Sequence, residues 1–210
     1  MTSSNARRAR LVLEPGNIPL QTWRKILQQP CEVALVDGAK TRTDACHRTI
    51  QDLIGTGRPI YAVNTGFGKL ASVRIDDSQL VDLQRNLILS HSAGTGELLG
   101  DDLVRLILVM KAAALAQGYS GVRWELVEAL LALVNAEVYP CIPAKGSVGA
   151  SGDLAPLSHM AAPLMGMGSV RMRGEIMPAE EGLRRAGISP MHFGPKEGVA
   201  LINGTQVSTA

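Results

Sequence analysis

Aromatic side chains are scarce in this sequence. Its 210 residues hold two Trp, three Tyr and two Phe, 3% of the chain. Large rings therefore cannot dominate a core. Ala, Leu, Val, Ile and Met must fill it, a composition that favours helix packed on helix. Cysteine is scarce too. Cys31, Cys46 and Cys141 are scattered, odd in number and without CxxC spacing, which argues against a disulfide framework or a zinc site and for a reducing compartment. No sign of charge is in excess: 21 basic and 19 acidic residues leave a formal net charge of +2. That balance argues against nucleic acid or an anionic membrane as the main partner. Long hydrophobic runs are also missing. Leu11-Val12-Leu13 stops at Glu14, so no secretion signal follows the N-terminal arginines. The longest uncharged run, Leu154 to Val170, is broken by Pro156, Pro163, Gly166 and Gly168 and is too short for a membrane span. The sequence reads as a soluble, cytoplasmic protein.

What is present is apolar and patterned: 46% hydrophobic and 19% charged residues, a globular composition. Leu11 to Leu13 predicts a short strand, turned at Pro15-Gly16. Helices are expected over Thr22–Gln29 and Thr41–Ile54. Pro59 to Gly68 opens like a strand and ends in a glycine-rich loop. Asp76-Asp77-Ser78 starts a helix that runs through Leu80, Leu83 and Leu87 to Ser90 or His91. Gly94 and Gly96 then break the chain. Gly100-Asp101-Asp102 leads a helix over Leu103–Gln117, apolar on nearly every side and interrupted only by Arg105 and Lys111, as befits a buried helix. Ser120 is placed to cap a further helix reaching Ala136. Ala144 to Gly152 reads as a small-residue loop, and a helical pattern resumes from Asp153 to about Met167. Ser169–Met177 reads as a hairpin around Gly174, and Pro178–Ala186 as a helix stopped by Gly187. A last helical pattern begins near Pro195 and runs into Ala210. A buried helix needs several neighbours, so residues 1–210 read as the N-terminal portion of a larger helical assembly.

Several short motifs fail on inspection. Gly149-Ala150-Ser151-Gly152-Asp153 approaches the hydrolase elbow GxSxG, but Asp153 replaces the second glycine. Gly166 and Gly168 lack the third glycine of a dinucleotide loop. His47, His91, His159 and His192 show no metal-ligand spacing. Asn203-Gly204-Thr205 fits a glycosylation sequon, without any sign of secretion.

Ala150-Ser151-Gly152 remains, in a tight loop directly before a helix. Glycine tolerates unusual backbone angles and has no side chain in the way. A sharp bend therefore lets the Gly152 nitrogen reach the Ala150 carbonyl and close a five-membered ring. Loss of the Ser151 hydroxyl as water then leaves an exocyclic methylidene, an electrophile no ordinary side chain offers. Backbone N–H groups at the start of the next helix are placed to stabilise negative charge on such a ring. By themselves these residues describe an ordinary loop with Asp153 as a helix cap.

The surrounding sequence adds a resemblance. Gly149 to His159, Gly-Ala-Ser-Gly-Asp-Leu-Ala-Pro-Leu-Ser-His, resembles the signature of the aromatic amino acid ammonia-lyases. Tyr61 to Gly68 is similar to that family's catalytic tyrosine loop, Gln84 to His91 to its substrate-selecting helix, and Leu201 to Gln206 to its Asn-Gly-Thr-Gln segment. Leu11 to Gly16 fits the family's opening Leu-x-Leu-x-Pro-Gly. The resemblance implies a mainly α fold, a helical bundle of the aromatic amino acid lyase type with a small β-hairpin, here truncated. It implies a 4-methylideneimidazol-5-one group formed autocatalytically from Ala150, Ser151 and Gly152. No metal and no diffusible cofactor is implied.

The same resemblance distributes roles. Tyr61, otherwise a core aromatic with a satisfied hydroxyl, becomes the base for the substrate's β-proton. Asn203, otherwise a turn residue, stands beside the ring and the substrate's polar end. Asp153 orients or polarises the cyclising loop. Asn86, Thr65 and Gln206 belong to the scaffold. Within the family, Ser90-His91 resembles the histidine ammonia-lyases. His91 then faces an imidazole substrate, ring donor to ring acceptor; otherwise it interacts with the C-terminus of its helix. The implied reaction is non-oxidative elimination of ammonia from L-histidine to give trans-urocanate. The implied assembly is a homotetramer, with no nucleic acid or membrane partner. The family's members are more than twice this length, and their later half supplies further active-site residues. Two other expectations therefore stand beside the first: a non-catalytic remnant or assembly module, and a lyase or aminomutase for another aromatic amino acid.

Overall fold

Helix α4 (Asp101–Leu115) forms the centre of the molecule. In this computed structural model, which describes residues 8–61, 63–66, 75–76, 79–150 and 152–210, Val104, Leu106 to Val109, Ala112, Ala113 and Leu115 are all buried. Each such large aliphatic side chain contributes roughly 1.5–3 kcal/mol by leaving water. Asp101 and Asp102 in the first turn suit the positive end of the helix. Helices α1 (Leu20–Gln28) and α5 (Trp124–Asn135) pack against α4. The two charges that interrupt its apolar run are buried with it, Arg105 4% and Lys111 1% exposed. Arg105 donates from Nε and Nη2 to the Ile26 and Leu27 carbonyls, at 2.6 and 2.7 Å. It thereby fills acceptors that the last turn of α1 leaves open.

Among the described residues, three small sheets surround this core. Strand β1 (Arg10–Leu13) pairs in parallel with β2 (Glu32–Leu35), Leu11 opposite Val33. The Asn135 side chain bonds both the N–H and the carbonyl of Val33, at 2.8 and 3.0 Å, and fixes this pair to the end of α5. Between β2 and the next helices stands α2 (Asp37–Gly55), and α3 covers Leu80–His91. Strand β3 (Thr95–Leu98) runs antiparallel to β5 (Pro143–Lys145). Strands β4 (Val138–Pro140), β6 (Ser169–Met172) and β7 (Glu175–Pro178) form a three-stranded antiparallel sheet, and β6–β7 is the hairpin expected around Gly174. The remaining helices among the described residues are α6 (Leu154–Ala161), followed by a 3₁₀ turn at Ala162–Met165, then α7 (Ala179–Ala186), α8 (Glu197–Ile202) and α9 (Gln206–Thr209).

Several local expectations are corrected. The segment that opens at Pro59 is not a strand at its described residues: Val63 and Asn64 N–H donate back to the Ile60 carbonyl. The buried Asn64 side chain closes that turn, accepting from Ile60 N–H at 2.7 Å and donating to the Arg58 carbonyl at 2.9 Å. A side-chain amide can replace ladder bonds in this way. Ser120 caps no helix; its carbonyl accepts from Lys196 Nζ at 2.8 Å, and α5 begins only at Trp124. Arg123, the residue before α5, is held by Glu197, which accepts from its N–H, Nε and Nη2 at 2.9, 3.0 and 2.7 Å and from Gly194 N–H at 2.7 Å. The helix from Asp153 stops earlier than expected. Pro163 has no N–H for the ladder, and the chain tightens into 3₁₀ geometry. Gly94 and Gly96 flank or occupy a strand instead of a simple break. The last helical pattern divides at Asn203-Gly204 into α8 and α9.

Candidate active site

Three elements that carry predicted site residues pack on one another: α3 ending at His91, α6 beginning after Asp153, and α8 ending at Asn203. The buried Gln84 side chain joins two of them, its Oε1 accepting from Gly198 N–H at 2.9 Å. The loop before α6 meets the turn after α8 directly. Asp153 N–H donates to the Gly204 carbonyl at 2.7 Å. Gly152 has φ +97°, and a Cβ there would stand 2.6 Å from both the Gly204 nitrogen and oxygen. Only glycine fits this position, for backbone angle and for space. Ser151 lies outside the described residues, as do Ala62, Phe67 and Gly68 of the tyrosine segment. Ala150 is exposed and Gly152 half-buried.

Asp153 is 2% exposed and does not cap its own helix. Its Oδ2 accepts from Val207 N–H at 3.0 Å, Ser208 N–H at 2.8 Å and the Ser208 hydroxyl at 3.1 Å. Those two amides belong to the first turn of α9, so Asp153 caps a helix more than fifty residues later in the chain. Its Oδ1 accepts the Ser147 hydroxyl at 2.9 Å. One carboxylate thus ties together both sides of the Ala150–Gly152 loop and the chain that follows Asn203. The Asp153 N–H is spent on Gly204 and Pro156 has none, so the start of α6 offers fewer free donors to a ring oxygen than the sequence implied.

His91 is half-buried at the C-terminal end of α3. Its Nδ1 lies 2.8 Å from the Leu87 carbonyl and 3.2 Å from Ser90 Oγ. A carbonyl only accepts, so Nδ1 carries the proton, and in the neutral ring Nε2 is left as an acceptor. His159 on α6 has the same tautomer for a different reason: its Nε2 accepts from Gly94 N–H at 3.0 Å. Burial pushes the His159 pKa down, which keeps that acceptor unprotonated. His159 therefore binds the segment just after His91 to the helix just after the ring-forming loop.

Asn203 closes α8 and is exposed. Tyr61 occupies the turn that Asn64 holds and is 61% exposed. Neither Tyr61 nor His91 takes part in the bonds that join Gly152, Asp153 and Gly204. Sequence reasoning missed Asn64, which shapes the turn carrying Tyr61, and Lys111. Lys111 Nζ donates to the Ala200 and Asn203 carbonyls at 3.2 and 3.3 Å, directly behind the turn that meets Gly152. The only signal it gave was a charge in an apolar helix. Among the described residues, no three His, Cys, Asp or Glu are grouped to hold a metal ion, and no helix is long and apolar enough to cross a membrane.

Comparison with known proteins bears on these segments together. The family model for aromatic amino acid lyases matches residues 18–210. A histidine ammonia-lyase of Idiomarina loihiensis is 54% identical over 198 residues, covering 94% of this chain and 39% of that protein. One from Legionella pneumophila is 51% identical over 199 residues, covering 95% and 39%. The histidine ammonia-lyase structure from Trypanosoma cruzi superposes with a TM-score of 0.87 at 35% identity, over 94% of this chain and 38% of that one. The tyrosine aminomutase structure from Streptomyces globisporus gives a TM-score of 0.90 at 34% identity, over 96% and 38%. The chain thus spans about two fifths of the length of the curated relatives it matches. A match running through α1, the packed helices α3, α6 and α8, and the loop before α6 leaves one conclusion: the chain belongs to the aromatic amino acid lyase family.

Proposed function

We propose that the polypeptide carrying this chain eliminates ammonia from L-histidine to give trans-urocanate, using an electrophilic ring built from Ala150, Ser151 and Gly152. The observation that carries this is the fit of Gly152-Asp153 against the Gly204 peptide: a 2.7 Å hydrogen bond on one side and no room for a Cβ on the other. That wedge is what a loop pressed toward cyclisation requires, and it suits a 4-methylideneimidazol-5-one group. When formed, the ring supplies an electrophile for the substrate's amine and lets that amine depart.

The chain's own residues supply the rest. His91 commits its Nδ1 proton to the Leu87 carbonyl, so its Nε2 lone pair is matched to the N–H of a substrate imidazole. Tyr61 presents a phenol on an exposed turn and takes the β-proton. Asn203 stands at the end of α8, beside the turn that abuts Gly152, and contacts the substrate's polar end. Asp153 holds the loop and α9 in register through its N–H bond to Gly204 and the four bonds its carboxylate accepts. The names of the relatives support histidine as substrate. The assembled enzyme is a cytoplasmic homotetramer that needs no metal and no diffusible cofactor. The likeness to a tyrosine aminomutase favours one second reading, the same ring serving amino-group migration on another aromatic amino acid.

The test is product analysis with L-histidine, L-tyrosine and L-phenylalanine offered in turn to the polypeptide carrying this chain, beside its Ser151→Ala variant. Urocanate and ammonium from L-histidine, lost in Ser151→Ala, are expected. A β-amino acid product, or undiminished activity in Ser151→Ala, would overturn the proposal.

A further inference from the structure

We infer that Lys111, on the central helix, is a positioning residue for the ring-forming loop: its Nζ holds the Asn203-Gly204 turn, and that turn holds the Gly152–Asp153 peptide. The inference rests on the lyase reading for the loop's role, but its geometry stands independently of it.

The three parts are stacked. Gly204 is the middle one. On one face it meets Gly152 and accepts the Asp153 N–H. On another, a Cβ would meet the Gln206 amide oxygen and, at 3.0 Å, Lys111 Nζ. Lys111 is 1% exposed and donates to the carbonyls of Ala200 and Asn203, the residues that lead into the turn. Gln206 Oε1, flanking the same glycine, is buried with no hydrogen-bond partner among the described residues. A lysine buried so completely costs stability unless it does something local. Among the described residues, its hydrogen bonds both go to the segment behind the loop. Among the described residues, the charged group that acts on it is the Asp153 carboxylate, across the turn. Desolvation pushes the Lys111 pKa down to about 7, so its charge changes in a range open to experiment.

Amide hydrogen exchange at Asp153, whose N–H is bonded to Gly204, reads the clamp directly. In the purified chain, Lys111→Met keeps the volume and removes both donors. The expected result is a fall in Asp153 protection of about tenfold or more, with the α4 and α5 amides unchanged, the effect of two lost hydrogen bonds on a local opening. A fall of under about threefold overturns the proposal. If the variant instead loses protection throughout α4, the wild-type pH profile decides. Opening the turn exposes Lys111 to water and raises its proton affinity. Protection, corrected for intrinsic exchange, must then rise from pH 7 to 8.5 by up to about tenfold per unit, and a flat profile overturns the proposal. Ser151→Ala separates the two ideas. It removes the ring and leaves Asp153 protection at the wild-type level, so the lyase reading can fail while the clamp survives, and the reverse.

Discussion

Replacing Gly152 by alanine should damage the protein far more than replacing Gly149, three residues away. Both glycines have positive φ, +97° and +67°, so both substitutions incur backbone strain of about 1–3 kcal/mol. Their surroundings differ. A Cβ on Gly149 finds nothing within 4 Å, whereas one on Gly152 stands 2.6 Å from two backbone atoms of Gly204. Backbone cannot rotate away, so the Gly204 turn must shift. That overpacking costs about 1–3 kcal/mol more, and losing the Asp153 N–H bond to Gly204 adds about 1 kcal/mol. Gly152→Ala is therefore expected to lose about 2–4 kcal/mol beyond Gly149→Ala. Urea unfolding of the two variants beside wild type measures this. With a slope of about 2 kcal/mol per molar, the midpoints should differ by about 1–2 M. Coincident midpoints would refute the wedge between Gly152 and Gly204, and with it the basis for a compressed loop.

Other outcomes follow from the same contacts. Lys111 has its pKa lowered from 10.5 to about 7, so between those values the unfolded chain binds the extra proton and stability rises with pH; the cost is fully present below pH 7. Wild type should gain on Lys111→Met by up to about 1.4 kcal/mol per pH unit between pH 7 and 9, and parallel stability curves would contradict this. Glu197→Ala leaves the Arg123 and Gly194 amides without their acceptor and should cost about 2–4 kcal/mol in thermal or urea unfolding; a loss under about 1 kcal/mol would show that water replaces the carboxylate. His91→Leu removes the Nε2 acceptor. In the active polypeptide it should lower kcat/KM for L-histidine by about 10²-fold or more while sparing L-phenylalanine, and equal losses on both substrates would remove His91 from substrate choice.

The central helix was legible because apolar residues at nearly every position, after Asp101 and Asp102, leave a buried helix as the only stable solution. The hairpin at Gly174 and the end of α7 at Gly187 were legible from local turn chemistry. What escaped was set by contacts distant in sequence. Strand β2 is four residues long and acquires its pairing from β1 and from Asn135, about a hundred residues away. The strand expected to open at Pro59 has the right residue types, but the Asn64 side chain takes backbone groups a ladder would need. At the candidate site, Asp153 looked like the cap of the helix it precedes; only the fold shows it capping α9 instead. Lys111 looked like an interruption because its partners, Ala200 and Asn203, are some ninety residues on.

The most direct test of the account is the mass of the peptide spanning Gly146 to His159 from the purified protein. Cyclisation and dehydration of Ala150-Ser151-Gly152 remove two waters, a deficit of about 36 Da. The account predicts that deficit in wild type and its absence in Ser151→Ala. An unmodified mass in wild type, in a protein whose Asp153 amide is protected as the structure requires, would contradict it.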